Sequence, residues 1–142
     1  MEEIERIVVV SGYFDPLHVG HLENIHMARE LGDKLIVIVN NDRQAKLKKG
    51  ASFMHESDRV KIIESLGAVD EVFLSIDEDA SICKSLAAIK PHVFAKGGDR
   101  HSGEIPEGPV CEEHGIEIVD GCGEKIRSSS DLVREARDKG LA

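Results

Sequence analysis

The sequence predicts an α/β fold with a doubly wound parallel sheet of five strands in one domain. Three observations lead to this prediction. Short apolar runs rich in β-branched residues alternate along the chain with segments in which apolar residues recur at helical spacing. The run at 34–39 is almost continuously apolar, which is typical of a parallel strand covered by helices on both faces. A chain of 142 residues is long enough to bury the core of one such domain.

The alternation of strands and helices calls for right-handed crossovers that place helices on both faces of the sheet. Gly32 is expected to end the first helix, because glycine favours the left-handed conformation that often follows a last turn. Asp77 or Asp79 is expected to cap the third helix, and Ser128 or Ser129 the last. The predicted strands cover 4–10, 34–39, 71–75, 92–96 and 116–119. The predicted helices cover 19–31, 56–66, 79–89 and 110–114, with a last helix ending near 139 and a long polar loop over 40–55.

Composition excludes several classes of function. The formal net charge of −9 argues against non-specific binding to nucleic acid or to anionic membranes, which both require a basic face. The three cysteines are odd in number and lack a CxxC spacing, so a disulfide framework or a structural zinc site is not expected. The acidic N-terminus predicts neither a signal peptide nor a membrane-spanning segment. We therefore expect a cytoplasmic protein with no nucleic-acid or membrane partner.

The first strand leads directly into a segment with the chemistry of an anion site. His18 and His21 occupy the first turn of the following helix, and residues three apart on a helix lie on the same face. Both imidazoles are therefore expected just beyond the carboxyl end of a strand, where ligands bind in open α/β sheets. The free N–H groups at a helix start also favour an anion, and Gly12 and Gly20 allow the backbone to approach phosphates closely.

Three further segments are expected at the same edge of the sheet, because the carboxyl ends of parallel strands lie together. Ammonium, guanidinium and imidazole groups gathered there could position a nucleotide and neutralise the charge that develops in phosphoryl or nucleotidyl transfer. Among the lysines, Lys46 is the preferred candidate and Lys48 the next. The three segments are 43–49 with Lys46, Lys48 and Lys49, 96–100 with Gly97-Gly98-Asp99, and 127–130 with Arg127 before three serines.

The residues taken singly allow other interpretations. His18 and His21 could be metal ligands, although no third ligand is spaced to complete a site, and His18 could be structural. The lysines could belong to a solvated loop, the Gly-Gly-Asp triplet to an ordinary turn, and the serines to a helix cap. The functional interpretation depends on the combination.

With these residues in view, the chain resembles the cytidylyltransferase-like nucleotidyltransferase superfamily. The segment Gly12-Tyr-Phe-Asp-Pro-Leu-His18-Val-Gly-His21 matches that family's GxFDxxHxGH signature in full. The segment Lys90-Pro-His-Val-Phe-Ala-Lys-Gly-Gly-Asp99 looks like KPDVFVKGGD of the adenylyltransferase domain that makes ADP-heptose. Arg127-Ser-Ser-Ser130 stands where the family has an RST-type motif. The resemblance implies that residues 1–142 form one Rossmann-like nucleotidyltransferase domain.

The resemblance implies a reaction in which a sugar or polyol phosphate attacks the α-phosphorus of ATP or CTP and releases pyrophosphate, with Mg²⁺ assisting. His18 and His21 would stabilise the transition state and the triphosphate, and a lysine from 46–49 would reach the phosphates. Asp15 would order the site or help to place the acceptor and the metal. The nucleotide site would also contain the backbone of Gly12, Tyr13 and Phe14, then Gly20 and Lys96, Gly98 and Asp99 at the base or ribose, and Arg127, Ser128 and Ser129 at the phosphates with Ser130 beside them.

The acceptor and the nucleotide stay open at this point. The RTEGISTT segment typical of glycerol-phosphate cytidylyltransferases is absent, and Arg100 follows Gly-Gly-Asp where the heptose enzymes commonly have an aromatic residue. The preferred prediction is transfer of AMP from ATP to a sugar phosphate. The alternatives are a CTP-dependent cytidylyltransferase for glycerol-phosphate-like acceptors, and a nucleotide-binding module without turnover. By resemblance alone we expect a homodimer. A flavodoxin-like carrier is disfavoured, because the chain has no Trp and one Tyr.

Overall fold

The computed structural model describes residues 5–96 and 106–119. Within these residues the chain forms a five-stranded sheet in the order β3-β2-β1-β4-β5, and every neighbouring pair is parallel. The predicted α/β fold with a parallel five-stranded sheet is therefore confirmed. The strands are β1 Ile7–Gly12, β2 Lys34–Val39, β3 Glu71–Leu74, β4 Val93–Ala95 and β5 Glu117–Val119.

Helices connect the strands on both faces of the sheet. None of the helices in the described part of the chain is long and apolar enough to cross a membrane. The predicted last helix lies outside the described residues. The helices are α1 Val19–Arg29, α2 Asp42–Lys49, α3 Glu56–Glu64, α4 Cys83–Ile89 and α5 Gly108–His114.

The core lies on both faces of the sheet, because successive strand residues point to opposite sides. Val8 and Val10 of β1 face α1 and α3, whereas Val9 faces α4 and α5. Residues 35–39 of β2 are all buried, as expected for a strand with helices on both sides. The sheet is thus doubly wound, and its parallel strands all end at one edge. We call this the carboxyl edge.

The prediction of a polar loop over 40–55 is wrong for residues 42–49, which form helix α2. Asn41 caps this helix: its Oδ1 accepts from the Gln44 N–H at 2.8 Å, and the Gln44 Oε1 accepts from the Asn41 N–H at 3.0 Å. This reciprocal capping box satisfies two N–H groups that the helix start would otherwise leave open. The lysines of the segment therefore lie on a helix that begins at the carboxyl edge.

The predicted role of Gly32 is also wrong. Helix α1 ends at Arg29, and its C-cap Glu30 has right-handed backbone angles. Glycine is required at position 32 for space instead, since a Cβ there would lie 2.6 Å from the carbonyl oxygen of Arg6 and 2.7 Å from a methyl of Val8. Gly32 lets the chain pass closely beneath the start of β1.

Helix α4 begins at Cys83, later than the predicted residue 79. Asp77, one of the two predicted capping residues, nevertheless binds the first turn of α4 from the loop that precedes the helix. Asp77 Oδ2 accepts from the Lys84 N–H at 2.7 Å, and Oδ1 accepts from the Ser85 N–H at 2.9 Å. The carboxylate thus satisfies two helix N–H groups without occupying the cap position itself.

Candidate functional site

The carboxyl edge brings together several of the predicted segments. Gly12 at the end of β1 is in register with Val39 at the end of β2, and the Asn40 N–H donates to the Gly12 carbonyl at 2.9 Å. On the other side of β1, Val9 pairs with Phe94, and continuing that register places Lys96 beside Ser11. Lys96 is buried. The carboxyl edge therefore holds the histidine motif (residues 12–21), the start of α2 and Lys96, as predicted.

His18 and His21 form the start of α1 in a way that fixes their ring nitrogens. His18 is the N-cap, and its Nδ1 accepts from the Gly20 N–H at 3.1 Å. The Nδ1 of His21 accepts from the His18 N–H, also at 3.1 Å. An imidazole nitrogen that accepts a hydrogen bond carries no proton, so in each neutral ring the proton is on Nε2. Both histidines are therefore set as Nε2–H donors.

Two features of the pair oppose protonation of both rings at once. Their centroids are 3.8 Å apart and their planes differ by 24°, so the imidazoles are stacked. Burial lowers the pKa of His18, because desolvation disfavours the charged form. Two stacked imidazolium rings would in addition repel each other. Desolvation of His18 and the closeness of the two rings therefore both disfavour a pair of cations.

Phe14 packs against the histidine pair. Its φ of +52° turns the chain sharply after β1, and its buried ring packs against His21 in an edge-on contact with centroids 4.9 Å apart. A Cβ at Gly12 would meet atoms of the Phe14 ring at 3.0 to 3.3 Å. The glycine of the motif thus leaves space for the aromatic ring that packs against the second histidine.

Asp15 orders a neighbouring loop. This carboxylate is buried, and its Oδ2 accepts from the Phe53 N–H and its Oδ1 from the Met54 N–H, both at 2.7 Å. The segment after α2 is thereby held against the histidine motif. The predicted role of Asp15, to order the site or to help place the acceptor and the metal, stays a prediction.

Arg59 is a residue of the site that the sequence interpretation missed. Its side chain is fully buried and lies on α3, from which it reaches the carboxyl edge. Arg59 lies on the same helix face as Ile63, four residues later. A charged residue on a face that points to the core is the sequence signal that could have indicated its role. The guanidinium donates to the Tyr13 carbonyl at 2.8 Å, the Asn40 carbonyl at 2.6 Å, the Met54 carbonyl at 3.0 Å and Asp42 Oδ1 at 2.7 Å.

These contacts join four segments of the chain at one cation. Arg59 connects the ends of β1 and β2 with the first residue of α2 and with the segment held by Asp15. The guanidinium is paired with Asp42, whose pKa is lowered by this hydrogen bond against an opposing desolvation effect. A buried charge with several acceptors and a partner is well accommodated. Arg59 therefore fixes the geometry of the edge.

The lysines of α2 differ in their positions. Lys46 is exposed, whereas the Lys48 ammonium lies 4.7 Å from the centroid of the Tyr13 ring. The helix is fastened at its start, because the Asn41 amide donates to the carbonyls of Ser75 and Asp77, both at 2.9 Å. Of these two lysines, Lys48 is the one shown in contact with the histidine motif.

The remaining predicted residues fall into two groups. Gly20 lies within the motif, where its N–H is used by His18. Among residues 5–96 and 106–119, no group of three His, Cys, Asp or Glu side chains is placed to hold a metal ion. The predicted residues that lie outside the described part of the chain are Gly98, Asp99, Arg127, Ser128, Ser129 and Ser130.

The thiols of the described segments carry none of this chemistry. Cys83 and Cys111 are free, and both lie on the α4 and α5 side of the sheet. Burial raises the pKa of Cys111 to about 11, with a further contribution from the charge of Glu107. A protonated, buried thiol is a poor nucleophile.

Comparison with known proteins identifies the family of this chain. A cytidylyltransferase-like family model matches residues 9–135. The chain is 38% identical over 138 residues to the bifunctional protein HldE of Methylobacillus flagellatus, a match that covers 92% of this chain and 27% of the relative. It is 37% identical over 124 residues to HldE of Pelobacter propionicus, covering 86% of this chain and 23% of the relative. The chain thus spans about a quarter of the length of these curated relatives.

A solved structure has the same fold. The lipopolysaccharide core biosynthesis protein of Thermoplasma volcanium superposes with a TM-score of 0.72 at 26% identity, over 84% of this chain and 98% of that one. The family match extends from β1 past β5 and includes the histidine motif. The chain therefore belongs to the cytidylyltransferase-like family of nucleotidyltransferases.

Proposed function

We propose that the chain transfers AMP from ATP to a phosphorylated sugar, with release of pyrophosphate, as a step in the synthesis of a nucleotide-activated sugar. One observation carries the chemical part of this proposal: two stacked histidines whose Nδ1 atoms accept backbone N–H groups, so that both rings present Nε2–H donors. ATP and a sugar phosphate are favoured by the resemblance of segment 90–99 to the adenylyltransferases that make ADP-heptose. The similarity to a lipopolysaccharide core biosynthesis protein points the same way.

Nucleotidyl transfer requires hydrogen-bond donors from the protein rather than a protein nucleophile. An oxygen of the acceptor phosphate forms a bond to the α-phosphorus of ATP. The bond from that phosphorus to the bridging oxygen breaks, and the electron pair leaves with pyrophosphate. Negative charge grows on the α-phosphoryl oxygens and on the leaving group, where fixed hydrogen-bond donors have their largest effect. His18 and His21 would supply two such donors, with no change of protonation during the step.

Cations would complete the triphosphate site. Lys48 contacts the Tyr13 ring of the motif, and Lys46 on the same helix stays a candidate. Lys96 at the end of β4 and Arg127 with Ser128, Ser129 and Ser130 are proposed to hold phosphates, and Gly98 and Asp99 the base or ribose. The backbone of residues 12–14 would line the nucleotide.

Mg²⁺ is proposed as a companion of the nucleotide. This ion is commonly held by substrate phosphates, waters and one or two carboxylates rather than by an all-protein cage. Each Asp15 oxygen accepts one backbone N–H group, and these bonds hold the carboxylate in place beside the histidine motif. When bound, the metal would neutralise phosphate charge, and we assign it no ligand among the described residues. We further propose that the protein acts in the cytoplasm and as a homodimer.

The experiment crosses four nucleoside triphosphates with heptose, glycerol and ribitol phosphates and measures pyrophosphate release. We expect turnover with ATP and a sugar phosphate. Activity with CTP and glycerol phosphate alone would replace this proposal by the cytidylyltransferase alternative. Nucleotide binding without release of pyrophosphate from any pair would instead indicate a binding module.

The variant that tests the histidines is His18→Ala. Removing a donor to developing oxyanion charge costs about 3–4 kcal/mol, so we expect kcat to fall by roughly two to three powers of ten. His26→Ala is the matched control, since His26 is an exposed residue of the same helix, in its last turn. Equal activity of His18→Ala and the parent protein would remove His18 from the mechanism.

A further inference from the structure

Tyr13 has no assigned side-chain role in the chemistry described above. It follows β1, between the glycine and the phenylalanine of the histidine motif. Its carbonyl accepts from Arg59 Nη1 at 2.8 Å, so the buried guanidinium holds its backbone in place. It is also the only tyrosine in a chain that has no tryptophan.

The Tyr13 ring contacts a lysine of helix α2. The Lys48 ammonium is 4.7 Å from the ring centroid, within the range of about 6 Å over which the face of an aromatic ring attracts a cation. Lys48 is exposed and belongs to the last turn of α2.

Both partners of this contact are attached to the same buried group. Arg59 binds the carbonyl of Tyr13 through Nη1 and the carboxylate of Asp42, the first residue of α2, through Nη2. The ring and the helix that carries the lysine are therefore fixed relative to each other. The contact is thus a consequence of how the carboxyl edge is built.

We propose that Tyr13 is a positioning residue, whose ring holds the Lys48 ammonium beside the histidine motif before the polyphosphate of the substrate binds. The proposal rests on the proposed function, because it assumes that Lys48 binds phosphate. Tyr13 acts through Lys48 and takes no part in bond making or breaking. When a polyphosphate arrives, its oxygens bind an ammonium that the ring already holds in place and continues to contact.

The first test measures the contact in the free protein by NMR. Side-chain protons of Lys48 next to the face of an aromatic ring are shifted upfield, and Lys48→Arg assigns their signals. We expect the upfield shift in the parent protein and in Tyr13→Phe, and its loss in Tyr13→Leu. Its absence from the parent protein, or its persistence in Tyr13→Leu, would overturn the proposal.

The second test measures the affinity for inorganic pyrophosphate by titration calorimetry. Because the ring helps to order the lysine before binding, Tyr13→Leu should weaken binding about three- to thirtyfold, and Tyr13→Phe should recover most of the loss. In a Lys48→Met background, Tyr13→Leu should cause no further loss, because its effect passes through the lysine. Lys61→Met, at an exposed lysine in the last turn of α3, is the control for removing one positive charge.

The two tests separate this proposal from the proposed function. Independent losses for Tyr13→Leu and Lys48→Met would show that Tyr13 acts without Lys48, and an effect of Tyr13→Phe equal to that of Tyr13→Leu would assign the role to the hydroxyl. Either result would overturn the proposal. If no nucleotide were turned over, the proposed function would fail, whereas the NMR shift and the coupled pyrophosphate affinities would still support the positioning of Lys48.

Discussion

At the residue scale, the chemistry of the site depends on one nitrogen in each of two histidines. The Nδ1 atoms of His18 and His21 accept the N–H groups that open helix α1, and this places the ring protons on Nε2. Protonation of either Nδ1 would convert an acceptor into a donor and remove a bond that begins the helix. The capping of α1 and the supply of hydrogen-bond donors are therefore the same arrangement.

One prediction at this scale concerns the pH dependence of stability. Burial lowers the pKa of His18 in the folded protein below its ordinary value of 6.5. The unfolded chain therefore binds this proton at a higher pH than the folded chain does. The stabilisation is complete above the unfolded pKa and is lost as the pH falls through the interval down to the folded pKa.

His18→Asn tests this prediction, because asparagine is a good N-cap that does not titrate. We expect the free energy of unfolding, measured with urea, to fall less in this variant than in the parent protein between about pH 7.5 and about pH 5.5. The comparison cancels the contributions of the other titrating groups. The same loss in both proteins would contradict the assignment of His18 as a neutral cap.

At the element scale, the edge is held together by α2, α3 and the segment after α2. Arg59 of α3 binds acceptors from β1, from the end of β2 and from α2, and Asp15 binds the N–H groups of Phe53 and Met54. The histidine motif thus depends on elements distant in sequence. A substitution in α3 should therefore also alter the geometry of the histidine motif.

Arg59→Met tests the importance of this connection. Removing the guanidinium takes a hydrogen-bond donor away from three carbonyls and one carboxylate. Removing one partner of a buried ion pair lowers the free energy of unfolding by about 3 kcal/mol or more. Arg43→Met is the matched control, because Arg43 forms an exposed pair with Glu78 at 3.7 Å, and such pairs contribute about 0–1 kcal/mol. Urea unfolding measures both, and equal stabilities would show that the buried network contributes little.

A second element-scale prediction concerns the passage from α1 to β2. In Gly32→Ala the new methyl group would meet the Arg6 carbonyl at 2.6 Å, and backbone cannot move aside easily, so we expect a loss of about 1–3 kcal/mol. In Gly67→Ala a Cβ would have nothing within 4 Å, and the stability should change by less than about 0.5 kcal/mol. Thermal or urea unfolding of both variants checks the contrast, and a tolerated Gly32→Ala would show that β1 shifts freely.

At the scale of the whole molecule, the parallel order of the strands is what makes a site from distant segments. Because every strand of the described sheet points the same way, residues after β1, β2 and β4 lie at one edge. The negative net charge of the chain does not prevent this edge from presenting imidazole and ammonium groups. Local arrangement of charge, rather than the total, determines what ligand the edge can take.

The sequence was sufficient for the sheet and for the histidine motif. Strand β2 was predicted with its observed bounds, because a continuous apolar run between polar residues has few other interpretations. The paired histidines were predicted on one helix face next to a strand end, and the structure has them there, stacked. Both predictions depend on local patterns, which a single sequence displays directly.

Features that depend on tertiary contacts could not be predicted in the same way. Helix α2 has little apolar periodicity, and it is fastened by Asn41 and Gln44 to carbonyls of the chain after β3. Arg59 has the sequence appearance of a surface residue, and its burial is explained by acceptors from three other segments. The contact of Lys48 with the motif likewise depends on where the Tyr13 ring lies.

The most direct test of the account is the tautomer of the two histidines and its response to phosphate. Long-range ¹H–¹⁵N NMR spectra of the labelled protein distinguish a proton on Nε2 from one on Nδ1. We predict that His18 and His21 are both neutral Nε2–H tautomers at neutral pH, and that inorganic pyrophosphate shifts both Nε2–H signals. A proton on Nδ1 of either ring, or signals that do not respond to pyrophosphate, would contradict the account.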